Sequence, residues 1–441
     1  MIPVGLDEIR ALGLGRLEQA DGGAPRAPVT GIRADSREVG PGDLFVALNA
    51  GVAYVDEARA RGASTLVPDD QDAALAALAS LVRSKSSARA VAIVGSAGKT
   101  TTKDVLGVLC APHTPTIWSE RSLNNEIGVP LTVCRLEPET AVLVTEMGMR
   151  GPGQVAALCE VVRPEVAVVT HIGPEHLELV GTVERVAEAN AEAVASLPSG
   201  GIAVVPSRAR ELDRFLERGD VEVHRFDPDD VELDDGRGRF CLDGRQVELE
   251  LPFTQRHHAL NVLAALHAYA ALGLPLDHVH EGARDIELSP WRGQELPLPG
   301  GGFVVNDAYN ANPDSMRAGL QALAWMSRHP ERGRRSWAVL GEMAELGHDT
   351  ISEHDRIGRL VVRLDVSRLV VVGTGRSMRA MHHGAVMEGS WGGEATMVDD
   401  ADAALALLRA ELEPGDVVLV KASNSAGLGA LAQSLARATT G

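Results

Sequence analysis

Residues 91–104, "VAIVGSAGKTTTKD", have the composition of a phosphate-binding loop between a strand and a helix. The glycines would let backbone N–H groups approach phosphate oxygens, and the following helix would add the positive end of its dipole. Lys99 would reach the β and γ phosphates of a nucleotide, and Thr100 would ligate Mg²⁺. The alternative is a glycine-rich turn with a chance lysine. The residues predicted to bind the nucleotide here are Gly95, Ser96, Ala97, Gly98, Lys99, Thr100 and Thr101.

The spacing of this loop is unusual. The common form, G-x-x-x-x-G-K-[ST], has a glycine six residues before the lysine, but Ile93 occupies that position. The first glycine is Gly95, so the loop reads G-x-x-G-K-T and is two residues shorter. Phosphate binding alone would fit many nucleotide-hydrolysing enzymes, so the remaining chain has to identify the chemistry.

Two further residues have side chains that could ligate a metal ion. Glu146 ends the apolar run "AVLVTEMG" (141–148), where a carboxylate at the carboxyl edge of a sheet would face the loop. Hard cations prefer such oxygen ligands. The alternative for Glu146 is a solvated acid at a strand end. His176 follows another apolar run, and a lone histidine is more often structural than a ligand.

The elements that would position these residues follow an α/β pattern. Short apolar runs bounded by Gly, Pro or polar residues, such as "EVAVVTHIG" (165–173), predict buried parallel strands with crossover helices. We expect three domains: a small α/β domain at 1–83, a central P-loop domain with a parallel mononucleotide-binding sheet at 84–310, and a Rossmann-like, doubly wound domain at 311–441. Residues 227–250 predict a peripheral hairpin, and residues 257–273 a helix that ends at Gly273.

Composition limits the function classes. The 441 residues carry a formal net charge of −19, which argues against nucleic acid or an anionic membrane as partner. The four cysteines lie far apart, which predicts reduced, buried thiols. The N-terminus carries acidic residues early and no long apolar run, so we expect no signal peptide. No apolar run approaches the roughly 20 residues of a membrane span, and we expect a cytoplasmic protein.

A set of motifs in one order carries a resemblance to a known family. They are "GSAGKTTTKD", "SLNNEIGVP" (122–130), "TEMG", "HIGPEHLELVG", "HHALNVLAAL", "SPWRGQ" (289–294), "NDAYNANPDSM" (306–316), "LGEMAELG" (340–347) and "LVKAS" (419–423). Together they resemble the muramyl (Mur) ligase family of peptidoglycan synthesis over nearly the whole chain. The short G-x-x-G-K-T loop is the form that this superfamily uses. "NDAYNANPDSM" and "LGEMAELG" are distinctive of the branch that joins a UDP-muramoyl-peptide to D-alanyl-D-alanine.

The resemblance implies ATP-dependent amide ligation with ATP and Mg²⁺ as cofactors. A substrate carboxylate attacks the γ-phosphate to give an acyl phosphate and ADP, and an amine then displaces phosphate. Phosphorylation supplies the leaving group that a carboxylate lacks, so catalysis would be mainly charge neutralisation and positioning. The partners implied are small-molecule carboxylate and amine substrates, and the family suggests a monomer that closes its domains around them.

The resemblance also implies a role for each matching residue. Lys99, His176 and Arg292 would be catalytic; Thr100 and Glu146 would hold the first Mg²⁺, and His176 a second. Asn261 resembles the adenine contact and Asp307 the ribose contact. Tyr309 and Asn310 would lie near ATP at the hinge to the last domain, unless their segment is only a turn. The substrate residues implied are Asn124, Asn125, Asn312, Glu342, His348, Lys421 and Ser423. The alternative for Lys421 is a solvated lysine at a strand end.

Three departures from the family fall on substrate and metal positions. Fourteen positions beyond His176 the family has a lysine that CO₂ converts to a carbamate ligand, and here that position is Asn190. Glu188 and Glu192 lie two positions from Asn190 on the predicted helix, so we expect their side chains to face away from the second metal ion rather than to replace the carbamate. A loop of the uridine-nucleotide site is trimmed at "VAYVDEARARGAS" (52–64), and Asn424 replaces an arginine.

These departures leave alternatives open. The chain is the wall ligase, or a paralogue that joins a different carboxylate and amine in specialised metabolism. A protein of another class, which binds nucleotide without catalysis, is disfavoured because the ATP residues are retained. Folylpolyglutamate synthetase is disfavoured by "NDAYNANPDSM" and by the separate first domain.

Overall fold

A computed structural model of the chain describes residues 1–20, 27–328, 335–389 and 393–437. Within these ranges, sheets of four, six, three and six strands follow one another along the chain. Helices alternate with most of the strands. The α/β class predicted from the sequence is confirmed.

The first sheet is small and mixed, in the order β1-β4-β3-β2, with β1 antiparallel to β4 and the other pairs parallel. Its strands are β1 (Gly15–Glu18), β2 (Gly31–Arg33), β3 (Asp43–Val46) and β4 (Ser64–Pro68). Its helices are α1 (Leu6–Ala11), α2 (Val55–Ala60) and α3 (Gln71–Ser84). The Asp70 carboxylate accepts the N–H groups of Asp72 and Ala73, which fixes the start of α3.

The second sheet is parallel throughout, in the order β10-β9-β8-β5-β7-β6. Its strands are β5 (Arg89–Val94), β6 (Thr116–Trp118), β7 (Val142–Glu146), β8 (Val166–Val169), β9 (Ile202–Pro206) and β10 (Glu222–Phe226). The helices in this region are α4 (Lys99–Cys110), α5 (Gly128–Val133), α6 (Gln154–Val162), α7 (Leu177–Val180), α8 (Val183–Ala195), α9 (Arg256–Ala271) and α10 (Val279–Ala283).

Both faces of this sheet are buried, and β5 shows why its sequence is apolar throughout. Ala92 and Val94 pack into the core on one face, whereas Val91 and Ile93 pack into the core on the other. Successive side chains of a strand point to opposite faces, so a strand covered on both sides needs a continuous apolar run. The apolar runs read as parallel strands are confirmed.

The segment predicted as a hairpin forms three antiparallel strands in the order β11-β12-β13. They are β11 (Val231–Asp234), β12 (Arg237–Leu242) and β13 (Arg245–Glu250). The predicted hairpin accounts for two of these three strands, so the prediction was one strand short. The helix predicted after it is α9, and Gly273 beyond its end has a φ of +72°.

The last sheet has the order β14-β15-β19-β16-β17-β18, and only its edge strand β14 is antiparallel to its neighbour. Its strands are β14 (Gln294–Pro297), β15 (Phe303–Asp307), β16 (Ser336–Leu340), β17 (Arg368–Val372), β18 (Ala395–Val398) and β19 (Val417–Lys421). Its helices are α11 (Pro313–Arg328), α12 (Thr350–Arg363), α13 (Arg376–Gly389), α14 (Ala401–Glu411) and α15 (Leu428–Ala436). The sheet thus begins upstream of residue 311, and the predicted division into domains stays a prediction.

The cysteines are free thiols; Cys110, Cys134 and Cys159 are buried, and Cys241 is partly exposed. Burial raises the pKa of each of the three buried thiols to about 12. The expectation of buried thiols therefore holds for three of the four. No helix in the described ranges is both long and apolar enough to span a membrane.

Candidate active site

A cleft of about 430 Å³ lies between the second and the last sheet and gathers most of the predicted site. The predicted residues that line it are Ser96, Ala97, Gly98, Lys99, Thr100, Thr101, Asn124, Asn125, Glu146, His176, Asn261, Arg292, Asp307, Tyr309, Asn310, Asn312 and Lys421. The predicted residues that do not line it are Gly95, Glu342, His348 and Ser423.

The glycine-rich loop joins β5 to α4, and its two glycines are required by their surroundings. Gly95 has a φ of +129° and Gly98 a φ of +83°, a region that favours glycine. A Cβ atom at Gly95 would lie 2.3 Å from the Thr170 hydroxyl, and one at Gly98 would lie 2.2 Å from the Asn261 amide oxygen. The loop is therefore packed between the end of β8 and the first turns of α9. Because α4 begins at Lys99, the positive end of its dipole faces the cleft.

Lys99 extends into the cleft and contacts the carboxylate of Glu175, which we did not predict as a site residue. Its ammonium group lies 3.2 Å from the Glu175 carboxylate and also donates to the backbone carbonyl of Gly95. Glu175 is buried and immediately precedes His176. Its place in "GPEHLE" was the signal that could have identified it.

Thr100 and Glu146 form the oxygen-rich part of the cleft. The Thr100 hydroxyl donates to one Glu146 oxygen at 2.7 Å, and the Asn124 amide donates to the other at 2.7 Å. Glu146 is 1% exposed, so the alternative of a solvated acid is wrong. No described lysine or arginine forms an ion pair with it. A buried carboxylate without a cation, beside a hydroxyl, has the donor chemistry of a hard-cation site.

His176 lies between two carboxylates at the junction with the last sheet. Its Nδ1 atom hydrogen-bonds Glu345, and its Nε2 atom lies 3.7 Å from the Glu175 carboxylate. Glu345 belongs to "LGEMAELG", and we did not predict its proximity to this histidine.

Asn190 supports the glycine-rich loop from behind. Its side-chain oxygen accepts the N–H of Gly95 at 2.7 Å, and its side-chain amide donates to the carbonyl of Val186 at 2.8 Å. The residue is 1% exposed and does not line the cleft. Asn190 therefore uses both of its polar groups within the fold rather than toward a metal.

The neighbouring acids on α8 face elsewhere, as expected. Glu192 accepts the N–H groups of Gly153 and Ala156, and Glu188 lies 3.9 Å from Arg214.

Arg292 faces the oxygen-rich part of the cleft from the opposite wall. Its guanidinium group donates to the Ser122 hydroxyl at 2.9 Å and lies over the Tyr309 ring at 4.0 Å. Ser122 lies 3.4 Å from the Thr100 hydroxyl, so Arg292 is separated from Thr100 by one side chain. Stacking on an aromatic ring holds a guanidinium group in a fixed orientation.

Lys421 and Asp307 form a buried ion pair at 2.6 Å, and Lys421 also donates to the Asn310 carbonyl at 3.0 Å. The Lys421 side chain is 2% exposed, so the alternative of a solvated lysine is wrong. The pair joins the ends of β15 and β19, which are neighbouring parallel strands. The predicted ribose contact and the predicted substrate lysine are therefore partners.

The first turns of α9 add neutral groups to the cleft. Asn261 packs against the glycine-rich loop, and His258 lines the cleft beside it. Burial lowers the pKa of His258 well below its usual value, so its ring is uncharged at pH 7. The pair "HH" before "ALN" was a signal that we did not use.

Three predicted substrate residues have other partners in this structure. Glu342 accepts the Ser377 hydroxyl at 2.9 Å, Ser423 accepts the N–H of Ala344 at 2.9 Å, and His348 is exposed near Asp349. Their assigned roles stay predictions.

Two of the asparagines that were predicted to contact substrate also organise local turns. Asn125 accepts the N–H of Gly128 at 2.9 Å, and Asn312 accepts the N–H of Ser315 at 2.8 Å in the first turn of α11. Asn310 accepts the N–H of Ala311. All three asparagines therefore stabilise local turns, and they also line the cleft.

Two family models match the chain. The Mur ligase middle domain matches residues 93–269, and the Mur ligase glutamate ligase domain matches residues 292–424. A UDP-N-acetylmuramoyl-tripeptide–D-alanyl-D-alanine ligase from Mycobacterium tuberculosis is 44% identical over 470 aligned residues, covering 92% of each chain.

Solved structures agree on the fold. MurF from Acinetobacter baumannii has a TM-score of 0.83 at 24% identity and covers 98% of this chain and 99% of its own. MurF from Thermotoga maritima, in complex with ADP, has a TM-score of 0.79 at 25% identity and covers 92% of this chain and 97% of its own. Family models over most of the chain and a relative at 44% identity confirm the resemblance: the chain belongs to the Mur ligase family, the ATP-dependent ligases of peptidoglycan synthesis.

Proposed function

We propose that the chain joins the free carboxylate of UDP-N-acetylmuramoyl-tripeptide to the amino group of D-alanyl-D-alanine, with ATP converted to ADP and phosphate. The observation that carries the proposal is the single cleft that brings Lys99, Glu146, Arg292 and Asp307 together from two sheets. The printed name of the Mycobacterium tuberculosis relative supports the choice of substrates.

The reaction would proceed in two balanced steps. A carboxylate oxygen attacks the γ-phosphorus, the bond between that phosphorus and the β–γ bridging oxygen breaks, and an acyl phosphate and ADP form. The amine nitrogen then attacks the acyl carbon, the nitrogen loses a proton, and phosphate leaves with the carbon–oxygen bond electrons. The protein would contribute chiefly positioning and charge neutralisation, because the leaving groups are already good.

Three kinds of group would act on the transferred phosphate. The loop N–H groups and Lys99 would hold the β and γ phosphates, with Lys99 leaving its contact to Glu175. Arg292, held over Tyr309, would reach the γ-phosphate from the opposite wall.

Thr100 and Glu146 would hold a Mg²⁺ ion, since their oxygens are adjacent and the Glu146 carboxylate has no described cationic side chain as partner. When bound, the ion supplies positive charge to the phosphates. His176 stays the predicted ligand of a second ion, and we do not propose Asn190 as a ligand of it because Asn190 is buried behind the loop and does not line the cleft.

The remaining predicted residues would bind the rest of the substrates, although Glu342, His348 and Ser423 lie outside the cleft lining. Asn261 would contact adenine, Asp307 would contact ribose while it keeps Lys421 in place, and Tyr309 and Asn310 would flank the nucleotide. The residues proposed for the two other substrates are Asn124, Asn125, Asn312, Glu342, His348, Lys421 and Ser423.

The chain would act as a monomer with the last sheet closed over the cleft. Two side-chain pairs already join the two sides: His176 with Glu345, and His171 with Asp314 at 3.2 Å. Closure of this kind would shield an acyl phosphate from water.

The second candidate is a paralogue that uses a different carboxylate and amine. It is favoured by Asn190, which is committed to the loop, by the trimmed segment at 52–64, and by Asn424 in place of a cation. The ATP chemistry would be the same in both candidates.

One assay separates these candidates. The purified chain receives ATP, Mg²⁺, UDP-N-acetylmuramoyl-tripeptide and D-alanyl-D-alanine, and ADP release is followed together with the mass of the product. Pentapeptide formed in equal amount to ADP supports the wall ligase. ATP binding without that product refutes the wall ligase and leaves the paralogue, which turnover of another carboxylate and amine with ADP release would distinguish from a non-catalytic protein.

Lys99→Ala tests the role of the loop in the same assay. We expect ADP release to be abolished while the circular dichroism spectrum is unchanged, because Lys99 makes its contacts at the cleft. Lys85→Ala is the matched control, since Lys85 pairs with Glu8 in the first part of the chain. Full turnover by Lys99→Ala would remove the loop from the mechanism.

A further inference from the structure

Away from the cleft, three metal-binding side chains converge from three different elements. His224 lies on β10, Asp243 lies in the turn between β12 and β13, and His267 lies on α9. One ligand atom from each lies within 4.8 Å of the others. We propose that these residues bind a divalent transition-metal ion of the Zn²⁺ class.

His267 contributes a second observation, a buried polar atom without a partner in the part of the chain that the structure describes. It is 3% exposed, and its Nε2 atom has no hydrogen-bond partner among the described residues. A buried polar atom without a partner is costly, and native structures rarely leave one. An imidazole nitrogen is a common metal ligand, so a metal ion is one partner that this ring could take.

His224 is already oriented by a carboxylate. Its Nε2 atom lies 2.8 Å from Glu222, and its ring centroid lies 6.5 Å from that of His267. In a neutral ring, the nitrogen that donates to a carboxylate leaves the other nitrogen as the acceptor. Such a carboxylate behind a histidine fixes the tautomer and raises the basicity of the ring in metal sites.

Asp243 can complete the set with a small movement. It is exposed, at the tip of a tight turn with a φ of +49°. Metal–ligand bonds of about 2.1 Å in a tetrahedron require ligand atoms about 3.4 Å apart. The observed separations, up to 4.8 Å, therefore need to shorten by up to about 1.4 Å, which exposed Asp243 and half-buried His224 can supply by rotation.

Two imidazoles and one carboxylate select the class of metal. Imidazole nitrogen suits Zn²⁺ and its transition-metal neighbours, whereas Mg²⁺ and Ca²⁺ prefer an all-oxygen set. With water as the fourth ligand, the site would be tetrahedral.

The proposed site lies apart from the cleft and has a structural role. His267 is six residues beyond Asn261, about 9 Å further along the axis of α9. His224 is on the edge strand β10, three strands from β5 and therefore about 14 Å from it. A bound ion would fasten the three-stranded sheet to the edge of the second sheet and to α9.

The test is Zn²⁺ titration of the tag-free, full-length chain by calorimetry in excess Mg²⁺. We expect one Zn²⁺ per chain and a higher melting temperature when Zn²⁺ is bound. Asp243→Asn and His224→Gln should each weaken Zn²⁺ binding at least tenfold. Co²⁺ in the same site should show the intense visible absorption of tetrahedral coordination, and both variants should lose it. ADP release by Asp243→Asn should match that of the wild type.

Asp235→Asn is the matched control. Asp235 also precedes a glycine in a tight turn of the same sheet, with a φ of +40°, but it lies at the other end of β12, roughly 20 Å from Asp243. It should bind Zn²⁺ like the wild type. The proposal is overturned if Asp243→Asn and His224→Gln retain wild-type affinity, or if Asp235→Asn loses as much affinity as they do. The variants are compared by circular dichroism without metal to confirm that each is folded.

Discussion

Removal of the Asn190 side chain tests whether this residue supports the phosphate loop. In Asn190→Ala, the N–H of Gly95 loses its acceptor, which lies 2.7 Å away in a fully buried position. Val186 loses only a second donor, because its carbonyl also accepts the helical N–H of residue 190. The change therefore acts mainly on one backbone group of the loop.

The magnitude follows from the cost of leaving a buried donor unpaired. That cost is about 1–3 kcal/mol. If the loop loosens to let water reach Gly95, ATP binding has to restore its order, and Kd for ATP rises by about 5- to 150-fold, since each 1.4 kcal/mol is tenfold.

The assay is calorimetric titration of the chain with a non-hydrolysable ATP analogue and Mg²⁺. Glu188→Ala is the control, because Glu188 lies on the same helix, is exposed and pairs only at 3.9 Å with Arg214. Its effect on Kd should be small. A Kd in Asn190→Ala within twofold of that in Glu188→Ala would refute the loop-supporting role.

Asn190→Lys introduces at the same position the lysine that the family resemblance implies. An ammonium group would face the N–H of Gly95, so two donors would oppose each other in a buried site. We expect ADP release to fall and to be insensitive to added bicarbonate, because the position does not line the cleft. Activity that rises with bicarbonate would show that a carbamate forms there and can reach the metal.

Three further predictions concern a metal ligand, a buried ion pair and the cysteines. Glu146→Gln should raise the Mg²⁺ concentration for half-maximal ADP release by roughly tenfold or more, since an amide is a weaker ligand than a carboxylate; an unchanged Mg²⁺ titration would count against this ligand. Asp307→Asn should lower the free energy of unfolding in urea by about 3–5 kcal/mol. Lys421→Met should cost less, because it leaves a carboxylate that is 16% exposed whereas Asp307→Asn leaves an ammonium group that is 2% exposed; the reverse order would be contrary to this reasoning. At pH 8 a thiol reagent should label only Cys241 in the folded chain, because burial raises the pKa of the other three thiols to about 12, and all four after denaturation.

Many of the residues that line the cleft could be predicted from the sequence. Lys99, Glu146 and Lys421 each lie at an end of an element in a parallel α/β arrangement. The carboxyl ends of parallel strands share one edge of a sheet, so motifs that follow those strands converge whatever their separation in sequence. For Glu146 the prediction depended on recognising a strand and its direction, whereas for Lys421 it came from the family resemblance.

The partners of those residues were not predictable in the same way. "LGEMAELG" contains two acids, and we chose Glu342 for the site. In the structure Glu345, with a φ of +61°, turns toward His176, whereas Glu342 accepts the Ser377 hydroxyl. The conformation of a loop decides which of two neighbouring acids reaches a site, and loop conformation depends on packing against distant elements rather than on local spacing.

Asn190 shows the same limit at a single position. Its spacing from His176 located the departure from the family, and its chemistry excluded a carbamate. The actual partner, the N–H of Gly95, lies 95 residues away in sequence and donates only because α8 packs behind the loop. An amide can accept from a backbone donor and donate to a carbonyl at once, which an ammonium group cannot do. Asparagine at position 190 thus removes the metal ligand that the family has there and also provides an acceptor for the buried N–H of Gly95. The two effects separate only when the affinity for ATP and the dependence of activity on metal are measured in the same variants.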